Sequence, residues 1–529
     1  MTSARTRRWG ILLVAIIAAG AVLRIAVFDI NAASAYGVDV ARDYLFANHI
    51  LNYHDFPQTG PDGYFGPHSN SPFYFYLLAA LLALCNSILF PGLVNVFLQI
   101  ASVPLMYYST RALFGRATAL LATAFFAFFD ALVMQAALMW QPHLMLFILL
   151  LSAALLVRYR EHDDVRLLFG SVASFAFAIV IHNSAFAIAP IFALCVFIST
   201  RKKEHRGRAL RGSGAIFGVV ILLAFLPVAY YALAIKPHIA PLTKTEALYT
   251  APPLQYPSFP QMIGNSVTRT EQFASFFFAG DADVLKPWGI LMLALMLFAS
   301  SAYLLLERDR RKVYAALMLL GACGLVIGSM SIIPLQTNSD FPVRYYTPIY
   351  PVLLMLFAEY LCFFLRSRVA LIAATCAVVL FASPHGAAAV RHLPEQIDTL
   401  FHRGIAYQYV DRDALRAIFN TARAEGPKGS SAPFDVVTFE KDTQQLTKSE
   451  LVWIGLEHES GTRLTRIDYR ALRGYGPLHD PALMFIRCIK LESGPCTDLF
   501  EKKYGQLFSV RAIVYQSKED TYLYAKRIQ

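Results

Sequence analysis

Twelve apolar runs dominate this 529-residue chain, at about 10–28, 72–89, 92–109, 117–138, 142–157, 167–181, 184–199, 214–235, 287–306, 313–333, 347–365 and 369–384. Each approaches the roughly 20 residues that cross a hydrocarbon layer as a helix. Charged residues make up 16 % of the chain and mean hydropathy is +0.47, whereas soluble domains carry about 25 % charge. Backbone polar groups must be satisfied within each segment in lipid, so such runs can only be helices. The expected fold is a mainly α, polytopic membrane helical bundle.

The net charge of +11 is concentrated in short loops such as RKKEHRGRALR (201–211) and ERDRRK (307–312). That distribution is a topology signal before it is a binding signal, and no nucleic-acid partner is expected. Arg5, Arg7 and Arg8 place the N-terminus in the cytoplasm, with run 10–28 read as a retained signal anchor and residues 29–71 external. If 72–89 also spanned, Arg111/Arg116, Arg158/Arg160/Arg166, the 201–211 cluster, 308–312 and Arg366/Arg368 would all fall outside. If it does not, all become cytoplasmic together. The reading is therefore about eleven spans plus an interfacial helix at 72–89, whose Pro72-Phe73-Tyr74-Phe75-Tyr76 start suits the headgroup level. The same parity gathers 29–71, Trp140–His143, His182-Asn183, 236–286, Gln336–Tyr346 and 385–529 on the external face of an inner (plasma) membrane.

The expected domains are 1–390, the transmembrane part with first external loop 29–90, and 391–529, a small external (periplasmic) α/β domain. In the latter, 411–425 reads as an amphipathic helix ending at Gly426. FDVVTFE (434–440), LVWIGL (451–456), ALMFIRCI (482–489), VRAIVYQ (510–516) and TYLYAKRI (521–528) read as strands, the last two as a hairpin. Five of seven cysteines lie in apolar runs; Cys488 and Cys496 do not, and in an oxidising compartment they could form a disulfide.

Between the first two apolar runs lies YGVDVARDYLFANHILNYHDFPQTGPDGYFGPHSNSPFYFY (36–76). A polar, Gly/Pro-punctuated loop of this length reads as a working site rather than a linker. If 38–50 is helical, Asp39, Arg42 and Asp43 share a face. One carboxylate could then act as a general base and Arg42 could hold a phosphate bidentately; the plainer alternative is an ordinary ion pair. His182 reads equally as a helix cap or a site residue. His68 is a weaker pocket candidate. Asp130, inside an apolar run, marks either a site or the end of a span.

GVDVARDYLFANHIL followed by GPHSNSPFYFYLLAALLAL resembles the membrane glycosyltransferases of the C-type (GT-C) fold. Within them it is most similar to bacterial relatives of protein O-mannosyltransferases and lipid A aminoarabinose transferase. DALVMQAALMWQPHL, AIVIHNSAFAIAP and PVRYYTPIYPVLLML resemble that group's later external turns. The resemblance implies a catalytic acid-base role for Asp39, with Asp43 beside it, and a donor-phosphate contact for Arg42. It implies the same contact for Arg344 with Tyr345, against the alternative of a snorkelling anchor. Val40 and Ser71-Pro72 depart from the group's pattern of a second acidic or amide residue and a double proline. Val40 removes one ligand, so a divalent cation stays an open question.

The resemblance implies transfer of a hexose or pentose, with inversion, from a polyprenyl-phosphate donor to a glycan, glycolipid or protein acceptor among membrane lipids. A transporter or flippase is the alternative, but transporters show repeated halves and midplane ions. A scaffold is the third reading; it would leave Asp39 and Arg42 without a role.

Overall fold

A computed structural model describes residues 2–31, 38–54, 56–58, 60, 71–85, 89–129, 132–133, 135–137, 139–201, 203–230, 233, 258, 260–265, 268, 270, 286–331, 343–365, 412–425, 434–440, 483–489, 493–506, 508–516 and 520–527. The chain divides into two compact units. One comprises Met1–Asp29, Thr59–Phe73 and Val94–Pro394; the other comprises Ile30–Gln58, Tyr74–Leu93 and Glu395–Gln529.

The helices are α1 (Thr2–Asn31), α2 (Val38–Tyr53), α3 (Phe73–Leu84), α4 (Leu89–Phe114), α5 (Arg116–Phe128), α6 (Gln141–His162), α7 (Val165–Ile181), α8 (Ala189–Thr200), α9 (Arg206–Tyr230), α10 (Lys286–Leu306), α11 (Arg310–Ser331), α12 (Tyr350–Phe364), α13 (Arg412–Glu425) and α14 (Ser493–Tyr504). Among the described residues, seven helical stretches are long and apolar enough to cross a membrane, and four shorter apolar helices accompany them. Together they account for every apolar run of the sequence except 369–384, which lies outside the described residues. This is a multi-pass membrane protein.

Two of the shorter helices matter most. Helix α3 has 12 residues, about 18 Å at 1.5 Å per residue, too short for a hydrocarbon core of about 30 Å. Ser71 starts it by accepting from the Phe73 N–H (3.3 Å) while its own hydroxyl donates to the Ala224 carbonyl (2.9 Å). The run 117–138, expected as one span, is instead broken: α5 stops at Phe128 after 13 residues. At that end sits Arg24, fully buried in α1, whose guanidinium donates to the carbonyls of Ala127 (2.9 Å), Phe126 (3.1 Å) and, within α1, Gly20 (3.1 Å). Arg24 thus supplies donors to carbonyls at the end of α5, and its charge suits the negative end of that helix. Gly20 allows this approach, because a Cβ there would lie 2.9 Å from the Ala127 Cβ.

Elsewhere in this unit the packing follows small residues and reciprocal bonds. Gly115, at φ 98°, makes the left-handed turn from α4 into α5. Helices α6 and α7 form a hairpin in which the Ser152 and Ser171 hydroxyls each donate to the other's carbonyl at 2.8 Å, the close approach that small residues permit between membrane helices. The core joins α5 and α12 through residues including Phe125, Phe126, Tyr350 and Leu354.

At the start of α5, Glu359 of α12 is buried and accepts three bonds. They come from Thr118 Oγ1 (2.6 Å), Tyr303 OH of α10 (2.9 Å) and Lys312 Nζ of α11 (2.8 Å). One carboxylate therefore ties four helices.

The second unit is described by itself. Helices α2 and α3 pack through stacked Phe46 and Phe75 (4.4 Å between centroids), and the Tyr76 hydroxyl donates to the Pro57 carbonyl (2.6 Å). His54, at φ 55°, closes α2 with its N–H on the Ile50 carbonyl. The strands β1 (Phe434–Glu440), β2 (Leu483–Ile489), β3 (Phe508–Gln516) and β4 (Asp520–Arg527) form a sheet of order β1-β2-β4-β3. Strands β1 and β2 are parallel; β2–β4 and the β3–β4 hairpin are antiparallel. Helix α13 packs on β3, and α14 on β3 and β4. Cys488 of β2 and Cys496 of α14 form a disulfide. The expected strand 451–456 lies outside the described residues. Helix α14 was not among the expected elements; its Pro495 sits in the first turn, where proline is tolerated.

Removing a buried ion's partner leaves an uncompensated charge, a loss of about 3–5 kcal/mol. Glu359→Leu should therefore unfold at markedly lower temperature in detergent, and adding Lys312→Met should recover much of the loss. Equal melting of wild type and Glu359→Leu would show that the four-helix tie is not a stabilising one.

Candidate active site

Asp39 and Arg42 lie in the first turns of α2, so their spacing does place them on one helical face with Asp43. The side chains of Asp39 and Arg42 lie outside the described part of the structure, as do those of His49, Arg344 and Tyr345 and the whole of Asp55, Asp62, His68 and Asp130. Asp43 is fully buried, in a stripe with Val40, Tyr44, Ala47 and Ile50. A carboxylate in that position is no solvated surface charge, and its burial must be compensated locally.

In the first unit, three segments recognised in the sequence come together. The first is the irregular stretch between α5 and α6, ending in Trp140–His143. The second is the 3-10 turn Asn183–Ile188 after His182, and the third is the 3-10 turn Val343–Ile349, which carries Arg344 and Tyr345 in its backbone. The 343–349 turn packs on the 183–188 turn and on α6. The Ser184 hydroxyl approaches Met145 Sδ of α6 at 3.5 Å, and Tyr350 meets Phe129 with ring centroids 6.0 Å apart.

Each segment leads directly into a helix. Helices α6, α8 and α12 all begin with proline at a first-turn position, at Pro142, Pro190 and Pro351, and none has a side-chain cap at its N-terminus. Proline here removes one N–H that would have been unpaired anyway. The 3-10 turns run straight into α8 and α12, the Ala189 N–H bonding to the Phe186 carbonyl, and at α6 the His143 and Leu144 N–H groups bond to the Trp140 carbonyl; what these helix starts offer an anion is the positive end of the helix dipole.

The Gln135–Ala137 turn and the start of α6 are held by side chains of α4. Asn95 Nδ2 of α4 donates to the carbonyls of Gln135 (2.9 Å) and Ala136 (3.2 Å). One turn further along the same helix face, Gln99 Nε2 donates to the His143 carbonyl (2.7 Å). His143 is buried and meets Trp140 edge-on at 5.5 Å. His182 is also buried. Its Nδ1 accepts from the Ser184 N–H (3.3 Å) and pairs with the Ser184 hydroxyl (2.8 Å), so it caps the turn that follows it. Among the described residues no group of three or more His, Cys, Asp or Glu side chains could hold a metal ion.

The sequence reading did not single out Arg24, Asn95, Gln99 or Glu359. The available signal was simple: each is a charged or amide side chain inside an apolar run, where such groups are costly and need a reason.

A family model described as dolichyl-phosphate-mannose-protein mannosyltransferase matches residues 68–231. No curated protein matches the chain by sequence. Among solved structures, ArnT from Cupriavidus metallidurans bound to undecaprenyl phosphate aligns over 98 % of this chain and 98 % of its own, with a TM-score of 0.55 and 14 % identity. This is the C-type fold of the membrane glycosyltransferases. The apo form of the same ArnT aligns over 99 % of this chain and 98 % of its own, with a TM-score of 0.54 and 15 % identity. At such identity the likeness is one of fold, and it extends from the first helix of the GT-C chain to its C-terminal sheet.

A capping role for His182 has a direct consequence. Asparagine is also a good N-cap, so His182→Asn should keep the turn and keep activity near wild type, whereas His182→Leu should lose about 1 kcal/mol of stability. Inactivity of a normally stable His182→Asn would instead assign the imidazole a chemical role.

Proposed function

We propose that this protein transfers a sugar from a polyprenyl-phosphate-linked donor to an acceptor at the external face of the membrane. The observation that carries the reading is the gathering of the 140–143, 183–188 and 343–349 segments at the starts of α6, α8 and α12, in a fold whose ArnT representative binds undecaprenyl phosphate. A donor with its tail in lipid and its phosphate at the headgroup level needs an anion-favouring site at the ends of helices.

The reaction is an inverting displacement. Asp39 takes the proton of the acceptor nucleophile as it attacks the anomeric carbon. The bond from that carbon to the phosphate oxygen breaks, and polyprenyl phosphate leaves. Charge accumulating on the leaving group is stabilised by Arg42 and Arg344, with Tyr345 beside it, and by helix N-termini. Asp43, four residues from Asp39, fixes the local charge balance of α2. The basic loops then face the cytoplasm, and the C-terminal sheet with its Cys488–Cys496 disulfide faces an oxidising compartment. The acceptor is a glycan, a glycolipid or a protein, and the sugar is a hexose or a pentose.

Membranes carrying the wild type, supplied with a panel of radiolabelled polyprenyl-phosphate sugars, should label a lipid, glycan or protein fraction. Asp39→Asn should abolish that labelling while the protein stays folded and inserted. Arg42→Ala and Arg344→Ala should raise the donor concentration needed. Full transfer by Asp39→Asn would sink the assignment of the base, and no transfer by the wild type from any donor would sink the reaction class.

A further inference from the structure

The break between α5 and α6 is built by side chains from elsewhere in the chain. Residues 117–138 are apolar enough to run on as helix, yet helix ends at Phe128. Arg24 reaches the Phe126 and Ala127 carbonyls from 102 and 103 residues away, and its guanidinium lies 5.7 Å from the Phe126 ring centroid. Asn95 and Gln99 supply donors to three further carbonyls of the same stretch. Where a membrane helix is interrupted, the freed backbone groups need protein or water partners. Among the described residues the interruption holds a helical turn closed on the Phe129 carbonyl, a 3-10 turn at Gln135–Ala137 and the start of α6 at Gln141, and three buried side chains of α1 and α4 bond to carbonyls at the end of α5, in that 3-10 turn and in the first turn of α6.

We infer that Arg24, Asn95 and Gln99 are positioning residues that hold the end of α5, the Gln135–Ala137 turn and the first turn of α6 in place as a wall of the donor site. The stretch ends at Trp140–His143, on α6, against which the turn bearing Arg344 packs. Displacing it therefore acts on donor binding rather than on acceptor binding. This inference rests on the transferase reading for its kinetic arm alone.

The test uses the full-length chain in lipid nanodiscs, with Arg24→Met, Arg24→Lys and Gln99→Met. Arg24→Met removes every donor of the guanidinium, while Arg24→Lys keeps the charge and can still donate to carbonyls. The expected result is a fall in kcat/KM for the donor of roughly 10- to 100-fold in Arg24→Met, carried mainly by donor KM, with acceptor KM unchanged and substantial recovery in Arg24→Lys. Amide exchange of the peptide spanning Phe129–His143 should also rise about tenfold in Arg24→Met and stay near wild type in Arg24→Lys. Should Arg24→Met fail to accumulate, Gln99→Met, which removes one neutral donor, should show the same pattern of exchange and donor KM with smaller amplitude. Wild-type kinetics and wild-type exchange in a stably inserted variant would overturn the inference, as would an equal change in both substrates' KM. A wild-type protein that transfers no sugar sinks the transferase reading instead, and leaves the exchange measurement to decide the positioning role.

Discussion

In hydrocarbon a peptide carbonyl or N–H without a partner costs several kcal/mol, and the first unit depends on how it meets that demand. A bundle of unbroken helices would satisfy it trivially but would present no irregular backbone to a substrate. Among the described residues α5 ends at Phe128, α7 ends at Ile181, and 3-10 turns stand at 135–137, 183–188 and 343–349. At the first two breaks the structure shows the substitute partners. Arg24, Asn95 and Gln99 serve the first break, and His182 with Ser184 serves the second. The buried polar side chains are thus the means by which turns can exist inside a membrane helix bundle.

Helix α5 shows how charge is matched to this design. It has 13 residues, about 20 Å of helix, with a buried ion at each end. Glu359 bonds to Thr118 in its first turn, where the dipole is positive; Arg24 bonds to carbonyls in its last turn, where it is negative. Each ion is therefore compensated twice, by hydrogen bonds and by the helix field. The two ends differ in consequence. Glu359 unites α5, α10, α11 and α12, helices joined in part by short basic loops. Arg24 marks the end where backbone becomes irregular and three helix starts collect.

Much of this was legible in the sequence because apolar length and period-two alternation are local signals. The apolar runs, helix 412–425 and the β3–β4 hairpin follow from them, and so does the short α3, through loop charge. The order of the loop motifs led to the C-type fold although no single motif is long. The end of α5 was not legible, because the residue that bonds to its last-turn carbonyls lies 103 positions away and only tertiary contact links them. Helix α14 was missed because Gly494 and Pro495 signal a turn in isolation, while packing on the sheet and the bond to Cys488 stabilise a helix. The burial of Asp43 was equally hidden. Helical spacing puts it on a face with Asp39 and Arg42, but only the fold says that this position points inward.

An ionisable group inside a membrane protein is a functional candidate by default, yet burial and bonding within the protein change its meaning. Arg24 spends both terminal nitrogens on backbone carbonyls, and Glu359 accepts from three side chains. Neither offers an entering phosphate a vacant, accessible set of donors, so both act on chemistry only through what they hold. A donor phosphate needs cations placed near lipid headgroups, and that requirement passes over Arg24, which is buried against the end of α5. The proposed chemistry rests instead on residues whose backbone lies at helix starts: Asp39 and Arg42 in the first turns of α2, and Arg344 in the turn before α12.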